Sequence, residues 1–163
     1  MDKTKLRLMV LTALVAAICV IGSFIKVPGF VTTAALDSAP AFLSVLFLPP
    51  LYSGFAAALG HLATGLSSGM PLGVFHAIIA VEMFIIVYVF NVMHRKNLSI
   101  LKWIFLIIAN GILSPLPFYF LVSPAFYIGA VPSLFVATLI NVAIVMVIMP
   151  VLKPIVKKQG LQS

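Results

Sequence analysis

The sequence is poor in charged residues and has one cysteine. Charged residues make up 8% of the 163 residues, and only three of them are acidic. A soluble domain carries about 25% charged residues, so this composition excludes a soluble protein. The single cysteine excludes a disulfide framework and a cysteine-based metal site. The scarcity of carboxylates argues against an enzyme with two catalytic acids and against a proton-relay pump.

The motifs of several enzyme classes are missing as well. The chain contains no G-x-x-x-x-G-K-[ST] phosphate-binding loop, no H-E-x-x-H zinc motif and no G-x-S-x-G nucleophile motif. His76 and Glu82 are six residues apart, which is about 240° around a helix, so they do not form a metal pair on one face. We therefore expect a protein that is not an enzyme and that holds no metal or cofactor of its own.

The chain is rich in apolar residues, and its basic residues are clustered. Hydrophobic residues make up 63% and the mean hydropathy is +1.27, which indicates one integral membrane domain over residues 1–163. Nine of the ten basic residues fall in three clusters, at 3–7, 95–102 and 153–158. By the positive-inside rule, these clusters place both termini and the 94–102 loop in the cytoplasm. The basic charge orients the protein and indicates no nucleic-acid partner.

The apolar runs predict an all-α protein with six transmembrane helices. A helix needs about 20 apolar residues to cross the bilayer. The apolar region 34–66 would be about 50 Å long as one helix, and Pro49 and Pro50 interrupt it. Because an even number of crossings must lie between the first helix and the helix that ends beside Arg95, this region predicts two shorter helices. The predicted helices cover approximately 6–25, 35–49, 50–66, 72–93, 100–121 and 128–152.

Few polar side chains fall inside these helices or at their ends. An ionisable side chain in hydrocarbon is costly and is therefore a functional hypothesis. His61 and His76 flank a glycine-rich outer turn, where the glycines allow helices or a ligand to approach closely. The candidate substrate-binding residues are Asp37, His61, Met70, His76, Glu82, Asn110 and Asn141, and the outer loops 26–36 and 122–127 supply Phe30 and Tyr127 as lid residues.

Several of these candidates also have a purely structural interpretation. Asn110 and Asn141 are suited to hydrogen bonds between neighbouring helices. His61 lies among small residues that are typical of tight helix packing. Asp37 suits the N-cap of a helix, and Tyr127 suits the aromatic belt at the membrane surface. These structural roles and ligand binding are not mutually exclusive.

Glu82 and Lys26 bear on the nature of the ligand. Glu82 lies about 15 Å along its helix from the outer end. A carboxylate at that depth in the membrane needs a protein partner, a raised pKa or a hydrogen-bond donor from a ligand. Lys26 is the only basic residue expected on the outer side. A phosphorylated or carboxylate ligand would be expected to recruit buried Arg or Lys, so a neutral or cationic ligand is favoured.

Three stretches of the chain carry a resemblance to a known family. They are ALVAA over 13–17, LDSAP over 36–40 and GHLATGLSSGMPLG over 60–73. With its length, six predicted helices and long first outer loop, the whole chain resembles the substrate-binding S components of energy-coupling factor (ECF) transporters. The resemblance implies capture of a vitamin or vitamin precursor from outside a bacterial cytoplasmic membrane. The second and third stretches look most like the members associated with α-ribazole, a cobalamin precursor.

The resemblance also implies partners. Ala13 and Ala17 match the A-x-x-x-A motif on helix 1 that packs against the coupling helices of the transmembrane T component. Two cytoplasmic ATPases of the shared module use ATP, in keeping with the missing phosphate-binding loop. The other interpretations are an S component for a thiamine- or pyridoxine-type compound, a non-transport membrane scaffold, and a transporter or channel that acts alone.

Overall fold

A computed structural model describes residues 2–28 and 35–160, and these residues form an all-α fold. Extended pairing among them is limited to an isolated antiparallel bridge between Lys26 and Ala35. The helices are α1 (Lys3–Gly22), α2 (Ala39–Leu43), α3 (Pro50–Ser67), α4 (His76–Arg95), α5 (Leu101–Ile108), α6 (Pro117–Leu121) and α7 (Pro124–Lys158). They are accompanied by 3-10 turns over Ser44–Leu46 and Gly73–Phe75 and by a π-helical turn over Ala109–Leu113.

Four segments of the described chain are long and apolar enough to cross a membrane. Their mean hydropathies lie between 1.9 and 2.6. Large apolar side chains such as Leu14, Ile104 and Val147 are exposed along them, and a surface of this kind is stable in lipid rather than in water. The chain is therefore a membrane protein, as its composition predicted. The four segments are Lys3–Gly22, Gly73–Arg95, Leu101–Leu121 and Pro124–Lys158.

The helix ends follow local signals in the sequence. Asp2 accepts a hydrogen bond from the backbone N–H of Thr4 at 3.2 Å, so α1 begins at Lys3, earlier than predicted. Ser123 caps α7 in the same way, through the N–H of Phe126 at 3.1 Å. α7 spans 35 residues, which is about 52 Å. It therefore exceeds the predicted helix at both ends and is longer than the hydrocarbon is thick.

The helix predicted over 35–49 is much shorter in the structure. Only Ala39–Leu43 is α-helical, and a single 3-10 turn follows it. Ser38, and not Asp37, occupies the N-cap position. The first backbone N–H of this helix, that of Ala39, donates a hydrogen bond to the side-chain oxygen of Asn141 on α7 at 2.8 Å. This partner is 102 residues away in the chain, so local hydrophobic periodicity cannot reveal it. The prediction of a helix over 35–49 was therefore wrong.

Asn141 ties the segment before α2 to α7. Its amide nitrogen donates to the carbonyl oxygens of Ala35 at 3.0 Å and of Ala137 at 2.8 Å. Its oxygen accepts the N–H of Ala39, and the side chain is 1% exposed. Both amide hydrogens and the oxygen are thus engaged within the protein. Residues 35–38 therefore stay non-helical inside the bundle with their backbone groups partly satisfied from α7.

Glycines allow α3 to approach both of its main neighbours, α1 and α4. A Cβ atom on Gly60 would lie 2.8 Å from the Cβ of Cys19 on α1. A Cβ atom on Gly54 would lie 2.9 Å from the ring of Phe84 on α4. Contacts this close are possible only without a side chain. Part of the glycine-rich segment in the sequence therefore serves helix packing.

The helix directions bring the basic clusters to one end of the bundle. α3 and α4 run antiparallel, because Asn91 near the end of α4 donates to Ser53 near the start of α3 at 2.7 Å. α1 runs parallel to α3, because its C-terminal half packs on the middle of α3 and the chain beyond it reaches the end of α3. Lys153 of α7 interacts electrostatically with Lys102 of α5. This basic end carries Lys3, Lys5, Arg7, Arg95, Lys96, Lys102, Lys153, Lys157 and Lys158.

Replacing Asn141 by leucine should destabilise the protein strongly. Asn141→Leu keeps the side-chain size but removes the partner of a buried N–H and of two carbonyl groups. An unsatisfied buried group costs about 1–3 kcal/mol, so we expect a loss of roughly 2–5 kcal/mol, measured by thermal unfolding in detergent. Asn110→Leu, which removes one hydrogen bond at 2.8 Å, is the control and should cost clearly less. Equal stability of Asn141→Leu and the unmodified protein would contradict this role.

Candidate functional site

A cavity lies between α3, α4, α6, α7, the π-helical turn and the segment before α2. Its empty space is about 680 Å³ when the open solvent at its mouth is included. It lies in the half of the bundle opposite the basic end, since the beginning of α7 lines it and the end of α7 does not. Four of the predicted binding residues line it: Asp37, His61, Asn110 and Asn141.

Polar groups are concentrated on the side of the cavity formed by α7 and the segment before α2. Ser38 Oγ donates to Asp37 Oδ1 at 3.1 Å, and Asn110 Nδ2 donates to Thr138 Oγ1 at 2.8 Å. The Asp37 carboxyl and the Asn110 amide keep acceptor capacity after these bonds. No Lys or Arg of the described chain lines the cavity. This side is therefore suited to a ligand that donates hydrogen bonds and carries no negative charge.

Apolar and aromatic side chains form the rest of the lining. Ile79 and Met83 lie one turn apart on α4, and Leu134 contributes from α7. The rings of Phe118 and Phe126, at the end of the cavity farthest from the basic end, have centroids 6.0 Å apart. Aromatic and thioether side chains pack well against a flat ring. The cavity thus combines a polar side with an aromatic one.

His61 and His76 form a hydrogen-bonded pair beside the cavity. His61 Nε2 and His76 Nδ1 are 3.1 Å apart; His61 lines the cavity, and His76 is fully buried behind it. The N–H of Leu72 approaches His76 Nε2 at 3.5 Å, so the His76 proton belongs on Nδ1 and is donated to His61. The Met70 sulfur and the His76 ring both lie against Gly65. His76 therefore positions His61, and neither His76 nor Met70 lines the cavity.

Asn110 is positioned by the π-helical turn Ala109–Leu113. The N–H of Ser114 donates to the carbonyl five residues earlier at 2.8 Å, the spacing that defines a π-turn. A Cβ atom on Gly111 would lie 3.1 Å from the Phe135 ring of α7, so this glycine lets the turn pack closely on α7. Such turns occur often at functional sites, and this one brings the Asn110 amide to Thr138 in the cavity.

Glu82 and Tyr127 were predicted as site residues but do not line the cavity. Glu82 is half-buried on α4, and its Oε2 lies 3.5 Å from the hydroxyl of Ser114, which does line the cavity. The Tyr127 hydroxyl donates to the carbonyl of Ile112 at 3.4 Å. The neighbouring Phe126 occupies the lining in place of Tyr127. Glu82 thus contacts the cavity lining through Ser114. Tyr127 connects the start of α7 to the π-helical turn.

Two further predictions concern residues away from the cavity. Phe30, the other predicted lid residue, lies outside the described residues. Ala13 and Ala17 are exposed on α1, whereas Ala16 and Cys19 are buried against α3. The two alanines therefore form a small, smooth strip on the free face of α1, a surface that a partner helix can approach closely.

Five polar or aromatic lining residues were not among the predicted site residues. Thr138 could have been found, because it precedes Asn141 by three residues and so shares its helix face. Ser38 depends on the non-helical segment before α2, and Ser114 and Phe118 depend on the break between α5 and α6, neither of which hydropathy locates. The five residues are Ser38, Ser114, Phe118, Phe126 and Thr138.

Comparison with known proteins adds no relative. No family model, no curated protein and no solved structure matches the chain. The cavity, the helix packing and the placement of charges are therefore the features from which its function has to be inferred.

The cavity should be accessible from the outer side of the membrane. In a Cys19→Ala background, Ser38→Cys should react with a small membrane-impermeant thiol reagent added outside intact cells, because Ser38 is half-buried and lines the cavity. Ser44→Cys, in the 3-10 turn that follows α2, is the control and should stay unreactive, because Ser44 is fully buried. Reaction of Ser38→Cys only from the cytoplasmic side would contradict an outward opening.

Proposed function

We propose that this chain is the substrate-binding S component of an ECF-type importer, which captures a vitamin or vitamin precursor from outside for an ATP-driven module. One observation carries the proposal. A cavity with a polar side and an aromatic side, and with no Lys or Arg among its described lining residues, lies in the half of the bundle opposite the basic end. Such a cavity suits the capture of a small uncharged or cationic molecule.

The proposal includes six crossings with both termini in the cytoplasm. The nine clustered basic residues lie at the end of the bundle where α1 begins and α7 ends, which is the arrangement the positive-inside rule favours. From Asp37 the chain reaches this end at Leu48, whose carbonyl accepts a hydrogen bond from Asn91 at 3.0 Å. This partly non-helical crossing is compatible with a bilayer because protein surrounds it. This crossing and α3 add two to the four long apolar segments, which makes six.

Among vitamins and precursors, α-ribazole fits the two sides of the cavity best. Its ribose carries several hydroxyl groups that match the acceptors on Asp37 and Asn110 and the hydroxyl of Thr138. Its dimethylbenzimidazole is a flat ring that matches Phe118 and Phe126. A thiamine- or pyridoxine-type compound is the alternative substrate, and a positive charge on such a ligand would favour the carboxyl of Asp37.

The exposed strip at Ala13 and Ala17 supports the proposed partners. In the proposal it packs against helices of a transmembrane T component, and two cytoplasmic ATPases of the same module supply the energy. Small side chains favour this kind of helix contact because they allow the backbones to approach closely. The face is free in the structure, since α3 packs on the opposite side of α1.

A non-transport scaffold is the second candidate function. The observation that favours it is the number of polar side chains engaged between helices, such as Asn91 with Ser53 and Asn141 with Ala35 and Ala39. A scaffold would bind no small molecule, so ligand binding by the isolated protein separates the two candidates.

The purified protein should bind α-ribazole with about 1:1 stoichiometry in calorimetry, without ATP or partners. Asp37→Asn should weaken binding about 10- to 100-fold, because a hydrogen bond to a charged group contributes about 1.5–3 kcal/mol. Asp2→Asn, which makes the same change outside the cavity, should bind normally. If no vitamin or precursor in a panel binds better than millimolar, the importer proposal fails.

Ala17→Leu should abolish ATP-dependent uptake by the complete transporter while leaving ligand binding intact. The added side chain would keep a partner helix away from α1. Ala77→Leu, a change at an exposed position on α4, is the control for both readouts. Uptake by Ala17→Leu at the unmodified rate would contradict the coupling role. Uptake by proteoliposomes that contain only this chain would instead favour a transporter that acts alone.

A further inference from the structure

Three groups beside the cavity form a chain of hydrogen bonds that ends at His61. The backbone N–H of Leu72 points at His76 Nε2, with 3.5 Å between the two nitrogens. His76 Nδ1 lies 3.1 Å from His61 Nε2. A backbone N–H can only donate, so His76 Nε2 accepts and the His76 proton is on Nδ1. His61 Nε2 must then accept that proton, and the neutral His61 ring carries its own proton on Nδ1.

The turn between α3 and α4 holds the Leu72 N–H in place. The N–H of Met70 donates to the carbonyl of Gly65 at 2.8 Å, and the N–H of Gly73 donates to the carbonyl of Met70 at 2.7 Å. Met70 and Gly73, on either side of Leu72, have φ angles of 52° and 54°, a region that few residues with a side chain adopt. The direction of the hydrogen-bond chain is therefore set by the backbone of this turn.

His61 Nδ1 is the free end of this chain. Within residues 2–28 and 35–160, His61 makes no hydrogen bond other than the one with His76. In the same ranges, the Thr64 hydroxyl is the only fully buried side-chain polar atom that lacks a partner, so the unbonded His61 Nδ1 is not sealed inside the protein. His61 lines the cavity, and its two ring nitrogens point in divergent directions. With Nε2 directed at the buried His76, the Nδ1–H is available as a donor to a ligand.

We propose that His61 donates its Nδ1–H to an unprotonated ring nitrogen of the ligand, so that the cavity selects heteroaromatic compounds that carry such an acceptor. The inference rests on the proposed function and specifies the ring chemistry of the substrate. Asp37 and Asn110 offer acceptors to hydroxyl groups, so the ligand donates on that side and accepts at His61. A ring without this nitrogen, or with the nitrogen protonated, would leave the His61 N–H without a partner, which is costly in a site closed to water.

The test compares two compounds that differ at one ring atom. The first is α-ribazole, whose benzimidazole has one unsubstituted ring nitrogen, and the second is its indole analogue, in which a C–H replaces that nitrogen. We expect the unmodified full-length protein to bind α-ribazole about 10- to 100-fold more tightly in calorimetry. Equal affinities would overturn this inference and leave the importer proposal standing. Failure of both compounds to bind would overturn the proposed ligand and this inference together.

Variants of His61 separate hydrogen-bond donation from packing. His61→Gln keeps an N–H donor and an acceptor for His76, so it should retain most of the preference for α-ribazole. His61→Leu combined with His76→Leu removes both partners without leaving either unpaired, so it should bind the two compounds alike. Asn110→Leu, on the polar side of the cavity, is the matched control and should weaken both compounds equally. A preference that persists in the double-leucine variant, or that disappears in Asn110→Leu, would contradict the role of His61.

Nitrogen NMR of the protein with isotope-labelled histidine checks the position of the proton without any ligand. We expect His61 to show a protonated Nδ1 and an unprotonated Nε2, with its signals assigned by their absence in His61→Gln. A proton on Nε2 of His61 would be directed at His76 and unavailable to the cavity. That result would overturn the inference whether or not the protein is an importer.

Discussion

The structure depends on one requirement of the hydrocarbon environment, which is that every buried backbone N–H and carbonyl needs a partner. Asn141 meets this requirement for the segment before α2 by binding Ala35 and Ala39 from the middle of α7. With those bonds in place, the chain passes through the bundle without forming a full helix. Asp37 and Ser38 consequently reach the cavity. In a continuous helix, periodicity would carry part of this segment to other faces and leave no space for a ligand.

The polar residues therefore divide into two groups, those that build the cavity and those that remain available to a ligand. Asn141 has both amide hydrogens and its oxygen engaged, and His76 is fully buried with contacts at both ring nitrogens. Asp37 and Asn110 each make a hydrogen bond inside the protein and keep acceptor capacity. The sequence presents all four as polar residues within or beside apolar segments. Only the count of hydrogen bonds separates the supporting residues from those that keep free acceptors.

Sequence reasoning was accurate where the information is local and failed where it is not. The membrane class and the helices around α1, α4 and α7 follow from long apolar runs, and the bounds differ mainly at capped ends such as Asp2 and Ser123. The short α2 was missed because its first N–H is bound by a distant side chain. In the cavity, Asp37, His61, Asn110 and Asn141 were found as polar residues in apolar surroundings. Aromatic lining residues such as Phe118 were missed, because an aromatic side chain in an apolar helix is equally typical of packing or lipid contact.

The placement of charge distinguishes the two ends of the bundle physically. Lys26 is the only basic residue remote from the basic end, and it donates to Ser68 at 3.1 Å, outside the cavity lining. Two of the three acidic residues, Asp37 and Glu82, lie at or next to the cavity, and Asp2 caps α1. An anion is thus favoured at one end and disfavoured at the other by the same few side chains. The two ends of the bundle therefore differ in the charge of the molecules that they favour.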